Sequence, residues 1–175
     1  MVSSNQRAVL RDGSQVLIRP IRGTDAAGLA AGFARLSARS RYLRFLTGKR
    51  ELSAKELRYL TEVDHHDHEA LAAVDPAGGG GLGVARYIRS ADDAHSADIA
   101  LTVVDEWQGR GVGTALLARL AQRARQEGIR RFTALAAADN VAVARLARAA
   151  GAVLRRGEFG TVAYEISLDA LPTLG

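Results

Sequence analysis

Cysteine is absent from the 175-residue chain, and lysine, proline and aromatic residues are scarce. Without cysteine the protein has no cysteine nucleophile, no thiolate metal ligand and no disulfide. No apolar run approaches the ~18 residues of a membrane-spanning helix, so no membrane partner is expected. The first residues also lack the apolar core of a signal peptide, and we therefore expect a cytoplasmic location. Aromatic residues make up 5% of the chain, which is few for a surface that stacks single-stranded bases.

The residues that are present are typical of one globular domain. Hydrophobic residues make up 47% and charged residues 25% of the sequence. A chain of this length buries about 70% of its unfolded surface, so it needs neither a disulfide nor a metal to fold. The net charge is +5, and Lys49 and Lys55 are the only lysines beside many arginines. Arginine suits phosphate recognition, but a GC-rich coding bias would give the same excess, so charge alone assigns no function.

The first half of the chain predicts a strand, three short helices and a hairpin. Residues 15–21 alternate as a strand does. Thr24 and Asp25 can cap a first helix, and Ser53 with Glu56 forms a capping box for the third. The proline and clustered glycines of 75–81 predict a hairpin loop. The expected elements are a strand over 15–21, helices over 24–36, 40–46 and 53–63, and strands over 69–74 and 82–89.

The second half is more regular and alternates strands with helices. A helix over 111–127 carries leucines on one face and arginines on the other. Gly128 and Gly151 stand where C-terminal glycine caps belong, and Asn140 can cap the second helix. The expected elements are strands over 98–104, 131–136, 153–156 and 161–168 and helices over 111–127 and 141–150. Together with the first half, they predict a mixed sheet with helices packed on it.

The most informative segment is a glycine-rich turn between a strand and the first of these helices, Trp107-Gln108-Gly109-Arg110-Gly111-Val112-Gly113-Thr114. Free N–H groups at a helix N-terminus bind anions, and glycines let a phosphate approach the backbone. Arg110 could add a charge-assisted contact. The segment is not a Rossmann fingerprint, because Thr114 stands at the third glycine position. It is not a P-loop either, because it contains no lysine.

The remaining pattern, Gln108-x-x-Gly111-x-Gly113, resembles the pyrophosphate-binding motif of the GNAT superfamily of N-acetyltransferases. The likeness covers about residues 10–168, and the wording is similar to the acetyltransferase domain of bacterial Pat-type protein lysine acetyltransferases. The stretches that carry it are Asp12-Gly13-Ser14, Ile18-Arg19-Pro20-Ile21, Leu36-Ser37, Ser40-Arg41-Tyr42-Leu43-Arg44-Phe45, Val63-Asp64-His65 and Trp107-Gln108-Gly109-Arg110-Gly111.

The resemblance implies an α/β (α+β) architecture, the GNAT fold. This is a mixed, mostly antiparallel sheet of six to seven strands with a splayed central pair and helices on both faces. The acetyltransferase domain would span residues 10–168, between an N-terminal tail of residues 1–9 and a C-terminal tail of residues 169–175. The regulatory domain that Pat-type enzymes often carry is not expected in a chain of this length.

The family also implies acetyl-CoA as cosubstrate, bound where two parallel strands splay apart. The backbone of Val103 and Val104 would hold the pantetheine arm, amides of the turn would bind the pyrophosphate, and Asn140 would contact the cofactor. The alternative for the glycines is a tight strand-to-helix turn without a ligand. The residues expected at the cofactor are Val103, Val104, Gln108, Gly109, Arg110, Gly111, Val112, Gly113, Thr114 and Asn140.

Asp98 is the candidate catalytic base. An attacking lysine has a free pKa of ~10.4, so it is protonated near neutral pH and must lose a proton. GNAT enzymes often place a glutamate early on the strand before the glycine motif, and Asp98 occupies that position with one methylene fewer. The alternative is a solvent-facing residue at a strand start. Many members carry a tyrosine acid seven residues after the asparagine; here that position is Ala147, so the thiolate would leave unaided.

Two other clusters have two interpretations each. His65-His66-Asp67-His68 suggests a metal site, but no fourth ligand is evident, so no metal is expected. Arg41, Tyr42, Arg44 and Phe45 either border the acceptor site or form a basic, half-buried helix face.

The expected function is direct transfer of acetyl from acetyl-CoA to an amine, because no cysteine is available to carry an acetyl-enzyme. A protein lysine is the expected acceptor. One alternative is a GNAT enzyme that acetylates a small-molecule amine. Another is a non-catalytic module that binds CoA or an interaction partner. Nucleic acid is not expected as a partner, and a homodimer is left open.

Overall fold

The structure is a computed structural model that describes residues 5–171. The strands are β1 (Gln6–Val9), β2 (Gln15–Pro20), β3 (His68–Val74), β4 (Gly81–Arg89), β5 (Ser96–Val103), β6 (Arg131–Ala137), β7 (Val153–Arg156) and β8 (Thr161–Ser167). The helices are α1 (Ala26–Ala34), α2 (Ala38–Phe45), α3 (Ala54–Thr61), α4 (Val112–Gln126) and α5 (Val141–Ala149), with 3-10 turns at Gly23–Asp25 and Asp105–Trp107.

The strands form one sheet in the order β1-β2-β3-β4-β5-β6-β8-β7. Every pair among the described residues is antiparallel except β5 with β6, so the mixed, mostly antiparallel sheet is confirmed. The sheet has eight strands in this part of the chain rather than six to seven. The additional strand is Gln6–Val9, which lies within the segment expected as a tail and pairs with β2. Of the two expected tails, residues 1–4 and 172–175 lie outside the described residues.

The parallel strands β5 and β6 stay together over only three residue pairs. These pairs are Ser96 with Arg131, Ala97 with Phe132 and Asp98 with Thr133. Beyond Asp98, β5 continues to Val103 against β4, and β6 continues to Ala137 against β8. The two strands therefore diverge directly after Asp98, and a cleft opens in the middle of the sheet.

Helix α4 covers one face of the sheet and builds the main core. Its Leu116, Leu117 and Leu120 are each at most 1% exposed. They pack with Tyr87 and Phe132 from the sheet in one hydrophobic cluster. Burial of each such side chain stabilises the fold by about 1.5–3 kcal/mol. The core therefore fixes α4, and with it the glycine turn, relative to β5.

Helices α1, α2 and α3 lie on the opposite face of the sheet, where α1 packs on β4 and α2 lies near β5. Alternation along β5 separates the two faces: Ile99 and Leu101 pack against the α4 core, so Asp98 and Ala100 lie on the α1–α3 side. None of the helices described is both long enough and apolar enough to cross a bilayer.

Candidate active site

The glycine turn joins the end of β5 to the start of α4 through two left-handed residues. Gly109 has φ 74° and Gly111 has φ 102°, and α4 begins at Val112. Only glycine adopts such angles without strain, so both positions need it for the backbone alone. The first N–H groups of α4 have no partner within the helix and point out of its N-terminus. The turn can therefore bind an anion, as the sequence predicts.

Gly113 differs from Gly109 and Gly111, because neither its backbone angles nor its surroundings require glycine. A Cβ built at this residue would lie 3.4 Å from Leu101 Cδ2 on β5, which is an ordinary packing distance. The phosphate contact predicted for Gly113 stays a prediction.

The Gln108 side chain ties the turn to its surroundings. Its Nε2 donates to the carbonyl oxygen of Val103 at 3.0 Å and to Ser40 Oγ on α2 at 3.2 Å. The side chain thus fixes the end of β5 against α2. The backbone N–H of Gln108 also has a partner, because it donates to the carbonyl oxygen of Asp105 at 3.2 Å, so the phosphate contact predicted for Gln108 stays a prediction.

The Arg110 side chain is held by the turn between β1 and β2. Its Nε donates to Asp12 Oδ2 at 2.7 Å, and its guanidinium lies 3.8 Å from the centre of the Trp107 ring. Hydrogen bonds from Ser14, and then from Arg110, lower the pKa of Asp12 to about 2. The contacts of Arg110 with Asp12 and with Ser14 Oγ use Nε and one N–H of Nη2, so the phosphate contact predicted for Arg110 would fall to its remaining N–H groups.

The backbone of Val104 is already engaged within the protein. Its N–H donates to Leu82 at 2.9 Å, and its carbonyl accepts from Trp107 at 2.9 Å. The free strand edge lies earlier, over Ile99–Val103, where β5 has left β6 and pairs with β4 alone. An extended ligand can add to such an edge as a strand does. The pantetheine arm predicted at Val103 and Val104 therefore fits the residues up to Val103 better.

Asn140 lies across the cleft at the start of α5. It is 7% exposed, and its Oδ1 accepts from the N–H of Val143 at 3.1 Å, which confirms the predicted cap. Because Oδ1 is used by the cap, the contact predicted between Asn140 and the cofactor would be made by Nδ2. The adjacent Asp139 pairs with Arg39 of α2 at 3.0 Å, which links the two walls of the cleft.

Asp98 is exposed and lies at the point where β5 and β6 diverge. Its Oδ1 accepts a hydrogen bond from Thr133 Oγ on β6, which orients the carboxylate toward the opening. Asp98 also lines a cavity of about 340 Å³ with Ala100 of β5 and with Tyr59 and Leu60 of α3. Val103 lies five positions after Asp98, which is about 17 Å along an extended strand. Strand β5 therefore holds the candidate base at one end and the anion-binding turn at the other.

The sequence matches the family model described as Acetyltransferase (GNAT) domain over residues 15–153. The chain belongs to the GNAT acetyltransferase family. It is 32% identical over 165 residues to the acetyltransferase Pat of Mycolicibacterium smegmatis, a match that covers 94% of this chain and 49% of Pat. The chain thus spans about half the length of that curated relative.

Solved structures support the same assignment. The GNAT domain of Pat from Streptomyces lividans has a TM-score of 0.88 and 36% identity, covering 93% of this chain and 96% of that domain. The Salmonella typhimurium protein yncA, solved with its cofactor acetyl-CoA, has a TM-score of 0.70 over 88% of this chain and 94% of that one. Its identity of 18% shows the fold alone. The predicted resemblance to GNAT enzymes and to Pat is confirmed.

The GNAT domain carries no hydroxyl at the position where many members have a tyrosine acid. Ala147 is the one buried residue of α5 and is 4% exposed. A larger side chain there would displace its neighbours, because such interiors are close-packed. Ala147 therefore supplies no proton to a leaving thiolate.

The histidine cluster of the GNAT domain pairs with separate partners. His65 Nδ1 lies 2.7 Å from Glu69, His66 Nδ1 lies 2.6 Å from Glu127, and His68 Nε2 lies 3.1 Å from an arginine of β4. Within residues 5–171, no group of three or more His, Cys, Asp or Glu side chains is arranged to hold a metal ion. The cluster instead joins the loop before β3 to α4 and β4.

Proposed function

We propose that this GNAT domain transfers acetyl from acetyl-CoA to an amine, with a lysine of another protein as the acceptor. The observation that carries the proposal is the divergence of β5 from β6 directly after Asp98. It leaves a free strand edge between the candidate base and the glycine turn. Acetyl-CoA as cosubstrate is supported by family membership and by the yncA structure, which contains it.

In the proposed reaction the neutral amine attacks the thioester carbonyl carbon. A C–N bond forms, the C–S bond breaks, and CoA departs as the thiolate. Asp98 takes the proton of the acceptor ammonium, directly or through a water, and Thr133 holds the carboxylate in place. The nitrogen is positively charged after the attack and releases its second proton to solvent. Solvent also protonates the thiolate, which is a fair leaving group because a free thiol has a pKa of ~8.5.

A protein lysine as acceptor is supported by two observations. The relatives that the chain matches include Pat of Mycolicibacterium smegmatis at 32% identity and the GNAT domain of Streptomyces lividans Pat at 36% identity. Asp98 is also exposed at the mouth of the cleft, where the flexible side chain of a lysine on a protein surface can reach it. The cytoplasmic location stays a prediction.

A small-molecule amine is the second candidate, and one observation favours it. The cavity that contains Asp98 adjoins a larger cavity beneath α1, which a protein lysine alone would not fill. Mostly apolar clefts of this size are typical of small-ligand sites.

The test is thiol release from acetyl-CoA with a panel of lysine-containing proteins, peptides and small amines. Turnover with proteins or peptides supports the lysine acceptor, and turnover confined to small amines supports the second candidate. CoA binding without turnover on any amine would indicate the non-catalytic alternative. Loss of turnover in Asp98→Asn, with CoA binding retained, would link the activity to this site.

A further inference from the structure

A cavity of about 400 Å³ lies between the α1–α3 layer and the sheet, on the face that carries Asp98. Its volume falls within the range of ~300–1,000 Å³ that is typical of ligand pockets. Small residues keep it open: a Cβ built at Gly28 or Gly32 of α1 would meet no atom within 4 Å. Its walls are otherwise mostly apolar, with Leu29, Phe33 and Val84 among them.

Two arginines, Arg44 of α2 and Arg86 of β4, line both this cavity and the smaller one that contains Asp98. Arg86 is 5% exposed, and its guanidinium donates to the carbonyl oxygen of Leu60 and to His68 Nε2. Arg44 is half-buried, and its guanidinium lies 4.7 Å from the centre of the Phe45 ring. Within residues 5–171, Arg44 has neither a hydrogen-bond acceptor nor a carboxylate partner.

The two positive charges are costly where they lie. Burial lowers the pKa of Arg44, and burial together with the charge of Arg44 lowers the pKa of Arg86 to about 10. The acids that line the larger cavity are engaged elsewhere. Asp25 pairs with Arg19 at 2.7 Å, and Asp75 accepts from the hairpin N–H of Ala77 at 2.8 Å. An anion beside Arg44 would therefore neutralise a half-buried positive charge that has no carboxylate partner among residues 5–171.

The arginines lie next to the candidate base. Asp98 pairs with Ile88 across the strands, and Arg86 pairs with Ala100, so Asp98 and Arg86 are diagonal neighbours on one face. Such residues lie about 7–8 Å apart. A molecule that places an amine at Asp98 can consequently place a second group at the arginines.

We propose that Arg44, in the positive field of Arg86, binds a carboxylate of the acceptor, so that the enzyme selects amines with a carboxylate close to the reacting nitrogen. The inference rests on the proposed acetyl transfer. The planar fork of one free guanidinium matches the two oxygens of a carboxylate. A phosphate dianion would need more donors than these apolar walls provide. The carboxylate belongs either to an acidic residue beside a protein lysine or to a free amino acid.

The first test measures binding without turnover. Hexanoate, which has an apolar tail and one carboxylate, is titrated calorimetrically beside the uncharged hexanamide. We expect hexanoate to bind the parent at least about tenfold more tightly, as for a charged hydrogen bond. Arg44→Gln should lose this preference. Arg58→Gln is the matched control, because Arg58 is exposed on α3 and lines neither cavity.

A second variant tests the cavity without changing Arg44, in case Arg44→Gln disturbs the local fold. Gly32→Leu fills the cavity from α1 and should abolish hexanoate binding while acetyl-CoA binding persists. The proposal is overturned if hexanamide binds the parent as tightly as hexanoate, or if the parent does not bind hexanoate. Unchanged hexanoate binding in Arg44→Gln also overturns it.

The second test uses acceptors and separates the two sources of the carboxylate. The peptides acetyl-Glu-Lys-Ala-amide and acetyl-Gln-Lys-Ala-amide are compared, as are leucine and leucinamide. In each pair, the acceptor that carries the carboxylate should have a KM about tenfold lower than the other acceptor, at a similar kcat. Arg44→Gln should remove this difference in KM. Equal KM values in both pairs would overturn the proposal. Binding of hexanoate through Arg44 with no turnover of any amine would refute the acetyl transfer and leave the anion site standing.

Discussion

A substitution at Gly111 can distinguish the two roles proposed for the glycine turn, which are to provide the backbone geometry and to bind the cofactor. Its φ of 102° lies in the left-handed region, and a Cβ built there would approach no atom closer than 4.0 Å. Gly111→Ala is therefore strained but not crowded, and it should lower the free energy of unfolding by about 1–3 kcal/mol. For a domain of this size, each kcal/mol shifts Tm by about 2–4 °C. A folded but less stable variant is the expected result.

The second expected result concerns the cofactor. A methyl group at Gly111 would stand where the pyrophosphate approaches the backbone, so the Kd for CoA should rise by at least about tenfold, which is about 1.4 kcal/mol. Gly128→Ala is the matched control at the other end of α4, because Gly128 has φ 78° and a Cβ there meets nothing within 4 Å. It should lose stability similarly and bind CoA as the parent does.

The measurements are isothermal titration with CoA and thermal unfolding of the parent, Gly111→Ala and Gly128→Ala. Equal CoA affinity in all three, with both variants folded, would mean that the turn is only a connection between β5 and α4. An equal loss of affinity in both variants would assign the effect to general destabilisation of α4. Either result would refute the assignment of the pyrophosphate to this turn.

Three further predictions test the base and the ionised side chains. Asp98→Asn should lower kcat by about 10²–10⁴-fold, remove the acidic limb of the pH–rate profile and leave CoA affinity unchanged. Glu69→Gln removes the buried carboxylate that lies 3.1 Å from Arg123 Nε, while Glu127 stays 2.9 Å from the same guanidinium, so it should lower the denaturant-derived free energy of unfolding by about 1–3 kcal/mol. The exposed control Glu106→Gln should change it by less than about 1 kcal/mol. Burial lowers the pKa of His68 to about 4. The free energy of unfolding should therefore fall as the pH is lowered from 6.5 to 4, and it should fall less steeply in His68→Gln.

The sign of the last prediction follows from linkage. Between pH 6.5 and 4 the unfolded chain binds a proton at His68 that the folded protein does not, so stability rises with pH in this window. Equal pH slopes in the parent and His68→Gln would contradict it.

A full rate with an unchanged pH profile in Asp98→Asn would assign proton removal to another group. If Glu69→Gln were no more damaging than Glu106→Gln, the buried ion pair would have no structural role.

Local features of the chain were predictable because their partners are close in sequence. The capping box of Ser53 forms as expected, with Glu56 Oε2 accepting from the N–H of Ser53 at 2.9 Å. Gly128 takes the left-handed conformation expected of a helix cap. Strand β1 was missed because three of its four residues are exposed, which leaves no apolar alternation to detect. Helix α2 begins earlier than predicted, because Ser37 Oγ accepts from the N–H of Ser40 and caps it.

The side-chain contacts of the site were not predictable, because they join residues far apart in the chain. Gln108 donates to Ser40 and Arg110 to Asp12, and neither partner carries a local signal of the contact. A motif states which residue types surround a ligand. It does not state which of their atoms the protein already uses. The structure shows that Gln108 Nε2 and part of the Arg110 guanidinium are bonded within the protein, and the phosphate contacts predicted for these residues stay predictions.

The two halves of the site differ in how far a family pattern can define them. The cofactor half depends on backbone geometry: a diverging strand pair, two left-handed glycines and the N-terminus of α4, which can bind an anion. The acceptor half depends on side chains from α2, α3 and β4 that meet only in the fold, and Arg44 beside Arg86 is the clearest case. Their spacing carries no motif, because no local segment contains both. We therefore expect the charges that face Asp98, above all those of Arg44 and Arg86, to set the choice of acceptor amine in the proposed reaction.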